Sequence, residues 1–200
     1  MSELILNTND GGGAERVLPK TGLNQAVLVS MVDIGTQEQS DYNGEKRDPA
    51  RKLIVTFALT NQHHIFDEEK GPQPLYTSKW LRLSLHEKAG LRKMVKAILG
   101  KDIDGEFNLF SMLGKNCMLN LVESKDGKYV NIDSFAPLMD GFDAVTDYDT
   151  TAFSLSSFDW ADFNELLTWQ KERIRLSPEF KNIEAKEEDA PAIETETPFD

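Results

Sequence analysis

Between residues 25 and 135 the apolar positions change period in a defined order. Residues 25–34, QAVLVSMVDI, are a β-branched apolar run that reads as a strand. Residues 52–60, KLIVTFALT, alternate: Leu53, Val55, Phe57 and Leu59 take one face, and Ile54, Thr56, Ala58 and Thr60 the other. Residues 76–84 alternate again, with Leu81 and Leu83 opposite Ser78, Trp80, Arg82 and Ser84. The period then becomes helical. Ser84 and Glu87 have capping-box spacing, and Leu91, Met94, Val95, Ile98 and Leu99 follow before Gly100. This predicts a helix capped by Ser84, with Gly90 an unfavourable residue inside it. Residues 115–122 and 128–135 read as two strands joined by a turn at Lys125, Asp126 and Gly127. In the last strand Tyr129, Asn131, Asp133 and Phe135 fall on one face, and Val130 and Ile132 on the other.

Three strands, a helix and two more strands are the layout of an OB-fold, a partly open Greek-key barrel. The expectation is a mainly β chain, with this five-stranded barrel over residues 23–138. Residues 1–22 read as a flexible lead with a glycine hinge at 11–13. Residues 35–50 and 61–74 read as polar loops. After the barrel come an acidic, irregular linker at 139–160 and a C-terminal helical segment at 161–181. Within it Phe163, Leu166, Leu167, Gln170 and Ile174 share a face over residues 161–176, and Pro178 follows. Such a helix would pack on the barrel or on another subunit. Residues 182–200 read as a disordered acidic tail, too polar to offset its ordering entropy.

Charge sharpens this division. The formal net charge is -12. Residues 20–135 carry sixteen basic and fifteen acidic side chains, whereas residues 136–200 carry five and sixteen. A near-neutral body with an acidic end points to an interaction tail, and a neutral body still binds polyanion where its cations share a face. No apolar run is long enough to span a bilayer, and no secretory signal is visible. Cys117 is the single cysteine, which excludes an internal disulfide and makes a reducing cytoplasm the default.

Four places carry aromatic and cationic residues suited to stacking on bases and neutralising phosphates. The first is the third strand, with Trp80 and Arg82 on its outer face and Lys79 beside them. The second is the helix stripe Lys88, Arg92 and Lys96, with Lys93 alongside and no acid after Glu87. The third is the loop 41–52, where Lys46, Arg47, Arg51 and Lys52 surround Tyr42. In an OB-fold the loop between the first two strands commonly clamps ligand. The fourth is Tyr129, next to Lys128 in the fifth strand. Each has a plainer reading: Trp80 packed under a loop or the C-terminal helix, the stripe as a solvated helix face, the loop as mere loop, and the fifth-strand aromatics as core at one barrel end, more so for Phe135 than for Tyr129. Catalytic and cofactor motifs are missing. His63 and His64 lack the spacing that converges metal ligands, and no phosphate-binding glycine loop follows a strand. The chain therefore reads as a non-enzyme without cofactor or metal.

Tyr76-Thr77, LRLSLHEKAGLRKMV (81–95), SMLGKNCMLNLV (111–122), GKYVNIDSFAPL (127–138) and IRLSPEFK (174–181) resemble single-stranded-DNA-binding proteins of phages and prophages. The likeness covers residues 20–181. It implies an OB-fold, sequence-tolerant binding of single-stranded DNA in phage replication and recombination, and the cytoplasm of a bacterial host. The end of the chain is similar to acidic tails of bacterial single-stranded-DNA-binding proteins, which end in Pro-Phe and recruit replication and recombination enzymes. Pro198 and Phe199 match that ending, but Asp200 follows and moves the terminal carboxylate. The competing expectation is an adaptor that binds protein through Trp80, Phe199 and the C-terminal helix. Oligomeric state is left open.

Overall fold

The computed structural model describes residues 17–41 and 44–188, excepting the side chains at 187 and 188. Tyr42, Pro198, Phe199, Asp200 and the glycines at 11–13 lie outside those residues. Six strands form one sheet: β1 (Gly22–Gln37), β2 (Ala50–His64), β3 (Gln73–Arg82), β4 (Asn116–Glu123), β5 (Val130–Pro137) and β6 (Thr151–Phe153). The hydrogen-bonded order is β3-β2-β1-β4-β5, with every ladder antiparallel. The short β6 lies parallel to β1, with Met31 opposite Ala152. No ladder joins β3 to β5, so the sheet is open. Lys79 spans that gap: its ammonium donates to the Ile132 carbonyl and lies 5.7 Å from the centre of the Phe135 ring.

The inner face of the sheet holds the main core, with Leu28, Met31, Leu53, Val55, Phe57, Leu59 and Leu81 packed together. The alternation read along β2 is the alternation observed. Bulges, which alternation alone cannot locate, redirect two other strands. In β1 the register slips between Leu28 and Ser30, so Leu28 and Met31 both face inward. In β5, Ser134 pairs with Asn120 and Ile132 with Leu121, leaving Asp133 as the extra residue. Phe135 therefore joins Val130 and Ile132 on the inner face, its ring 5.8 Å from that of Phe57. This corrects its expected grouping with Tyr129.

Helix α1 (Gly90–Leu99) covers the inner side, burying Leu91, Met94, Val95 and Ile98, and Gly100 ends it at φ 69°. Its start differs from the expected capping box. The Ser84 hydroxyl accepts from the His86 N–H at 3.2 Å in a local turn, and Ala89 occupies the cap position without a side-chain bond. Gly90 thus opens the helix rather than interrupting it. A Cβ there would meet Leu81 at 3.3 Å, so a small residue suits this close approach.

The outer face of β1 and β2 is buried as well. Here the chain departs most from an independent linker, helix and tail. Val145 and Tyr148 pack on Val27, Val29 and Ala58. Asn116 imitates a strand pairing, donating to the Val145 carbonyl at 2.8 Å and accepting its N–H at 2.9 Å. Three helices follow: α2 (Trp160–Glu165), α3 (Thr168–Arg175) and α4 (Pro178–Glu188). The expected single helix breaks at Leu166 and Leu167. There the Gln170 side-chain oxygen accepts the Leu167 N–H at 3.1 Å and starts α3. Leu167 points outward, while Phe163, Leu166, Ile174 and Phe180 form a second core with Val32, Ile34 and Ile54. Pro178 opens α4, where its missing N–H costs nothing, so residues 182–188 are helical rather than tail. Among the described residues no helix is long and apolar enough to cross a membrane.

Candidate nucleic-acid interface

Strand β3 sets the outer surface by its two-residue period. Leu75, Thr77 and Leu81 are buried, while Tyr76, Ser78, Trp80 and Arg82 are exposed. The ladder with β2 places Lys52 opposite Arg82, Ile54 opposite Trp80, Thr56 opposite Ser78 and Ala58 opposite Tyr76. Small or apolar partners on β2 leave the β3 aromatics standing proud of the sheet.

Trp80 is flanked by α3. The rings of Trp80 and Trp169 lie 6.4 Å apart with planes 12° from parallel, and the Arg173 guanidinium carbon is 5.7 Å from the Trp80 ring centre. Trp80 therefore touches the C-terminal helices yet stays 43 % exposed. Two depressions flank this pair. A groove of about 780 Å³ runs between β2, β3, the 147–151 segment and α3; Tyr76, Tyr148 and Trp169 line it with Asp147, Asp149 and Glu165. A cleft of about 360 Å³ between β3 and β5 is lined by Tyr76, Ser78, Tyr129, Asn131 and Trp169. Tyr129 closes the β4–β5 turn, where its N–H donates to the Ser124 hydroxyl at 3.0 Å.

Cations gather at the Arg82 end of β3. Burial first, and then the charges of Arg47 and Arg82, hold the Lys52 ammonium below the ordinary lysine range. None of these three has an ion-pair partner among the described residues. Lys52 also donates to the Gln39 side-chain oxygen at 3.1 Å.

Other expected phosphate ligands are committed elsewhere. The Arg51 guanidinium grips the buried Asp33 carboxylate with both Nε and Nη2, and donates to the Ser156 hydroxyl at 2.9 Å. Its role is to fasten β1, β2 and the 155–157 turn. Arg92 and Lys96 share Asp102 at 3.1 and 3.0 Å, a carboxylate just past the helix that complements their stripe. The Lys96 ammonium and the Ile103 N–H, with Arg92, bring Asp102 down to about 2. Lys88 is exposed on the turn before α1, not on the helix. Arg92 and Lys96 stand on the helix that covers the inner side of the sheet, and Lys88 lies on the turn that leads into it, whereas Trp80 is on the outer face. Lys79 is taken up by the β3–β5 bridge.

The arrangement thus brings together Trp80, Arg82, Lys52, Arg47 and, at the far end, Tyr129. It adds Tyr76 and Trp169, which the sequence reading did not single out. The parity of β3 already put Tyr76 on the face of Trp80. Trp169 had no comparable signal, because only tertiary packing carries α3 to that face. Among the described residues no group of three or more His, Cys, Asp or Glu is placed to hold a metal ion. No family model, curated protein or solved structure matches the chain.

Proposed function

We propose that this protein binds single-stranded DNA, with little sequence preference, along the outer face of β3. The observation that carries the reading is the exposed aromatic row of Tyr76, Trp80, Trp169 and Tyr129, with Arg47, Lys52 and Arg82 grouped at one end. Rings stack on any base, and cations that pair with no carboxylate among the described residues answer the phosphates. The strand order, the helix between the third and fourth strands and the Lys79 bridge between the end strands support reading the sheet as an OB-type barrel. In such barrels the second and third strands and the loops beside them form the usual binding face. The resemblance to phage and prophage proteins makes the setting replication or recombination in a bacterial host cytoplasm. It gives the acidic tail, with Pro198 and Phe199, the role of recruiting partner enzymes. The protein itself would act without catalysis.

One observation favours a second reading. The larger groove presents Asp147, Asp149 and Glu165 with no Lys or Arg in its lining, which suits a protein partner better than a phosphate chain. Titrating the full chain with oligo-dT at low and moderate salt separates the two. Binding that weakens steeply with salt supports the DNA reading, and no binding at low salt leaves the adaptor.

A further inference from the structure

Trp169 is more exposed than an anchoring residue needs to be. The C-terminal helices are already held by Phe163, Ile174 and Phe180, each fully buried, and by the Gln37 amide donating to the Arg173 carbonyl at 2.9 Å. Trp169 itself remains 40 % exposed. It stands where the two depressions meet, since it lines both. These differ in chemistry. The larger carries three carboxylates and no cation, so a polyanion is repelled from it. The smaller, about 360 Å³, has no charged residue in its lining. It offers the rings of Tyr76, Tyr129 and Trp169 and the polar side chains of Ser78 and Asn131, and Val17, Leu18 and Pro19 of the segment before β1 line it as well.

We infer that this cleft between β3 and β5 receives one unstacked nucleobase of the bound strand, with Trp169 as a wall supplied from outside the barrel. The inference rests on the single-strand reading above. Aromatic faces hold a base, and amide and hydroxyl groups meet its edge, while the sugar and phosphates stay in water. The strand then runs from the Arg47, Lys52 and Arg82 cluster across Trp80 to the cleft, because the acidic groove excludes its backbone. The C-terminal helices become part of the binding site.

The test compares oligo-dT with a strand of equal length whose residues lack bases, using the full chain and its W169A and W169F variants. Fluorescence anisotropy gives affinity, and a thermal melt reports the fold. Wild type is expected to prefer oligo-dT. W169A should lose about 5- to 150-fold on oligo-dT and nothing on the baseless strand, with W169F recovering most of the loss. Equal losses on both strands with a lowered melting temperature would make Trp169 merely structural and overturn the inference. Unchanged oligo-dT binding by W169A would overturn it too, while leaving single-strand binding intact. Failure of wild type to bind either strand would remove both readings.

Discussion

Glu179 holds Thr36 twice, its carboxylate accepting the backbone N–H at 2.9 Å and the hydroxyl at 2.6 Å. This pins α4 to the end of β1. Burial opposes the charge on Glu179, but the two Thr36 donors outweigh it and, with Arg51 nearby, hold its pKa below the ordinary 4.5. A carboxylate whose folded pKa is depressed contributes stability above its unfolded pKa and loses it as pH falls through the folded one. The clamp is therefore intact at neutral pH and weakens below about pH 4.5. E179Q should lower stability by about 1 kcal/mol at pH 7 and lessen the further loss on acidification. Urea melts at pH 7 and pH 4 check this. Identical curves for both proteins at both pH values would refute the clamp.

Gly35 precedes that contact at φ +71°, and a Cβ on it would fall 2.4 Å from the Ser177 Cβ. Both the backbone conformation and the space require glycine. G35A should destabilise the chain by about 2 kcal/mol, read as a drop in melting temperature. A melt indistinguishable from wild type would show that the C-terminal helices can shift freely.

Arg51 and Arg82 lie on neighbouring strands and should behave oppositely. Asp33 is 2 % exposed, and removing Arg51 leaves its carboxylate without a counter-charge. R51A should cost about 3 kcal/mol of stability. R82A should leave the melt unchanged but weaken binding to single strands and reduce the salt slope by about 1. The reverse pattern would exchange their roles.

Burial in β4 pushes the Cys117 thiol up to about 12. Only the thiolate is the nucleophile, so the folded protein should resist alkylation at pH 8 and react once denatured. Labelling with iodoacetamide, followed by mass spectrometry, reads this directly. Rapid modification of the native chain would contradict the placement of Cys117 in the core.

Local signals explain what the sequence made legible. The alternating faces of β2 and β3, the apolar stripe of α1 and the β4–β5 turn depend on neighbouring residues and are found as read, although β2 runs on to His64 and β3 begins at Gln73, inside the stretch read as a polar loop. The regions that differ depend on distant partners. Phe135 turns inward because of a bulge set by pairing with β4. Leu166 and Leu167 break a helix whose apolar spacing is continuous. The acidic 139–159 stretch is ordered through Asn116 and the outer faces of β1 and β2. The site divides in the same way: Trp80 and Arg82 follow from strand parity. Arg51 is lost to Asp33, 18 residues earlier in the chain, and Trp169 is gained from α3.

On the proposed reading, the outer face of β3 carries a single strand across Trp80. The most direct measurement is oligo-dT titration followed by tryptophan fluorescence at two salt concentrations, for wild type and W80A. Tight, salt-sensitive quenching by wild type, with affinity reduced about 5-fold or more in W80A, is the expected result. Unaltered affinity in W80A would move the strand off β3, and an absence of binding at low salt would contradict the claim outright.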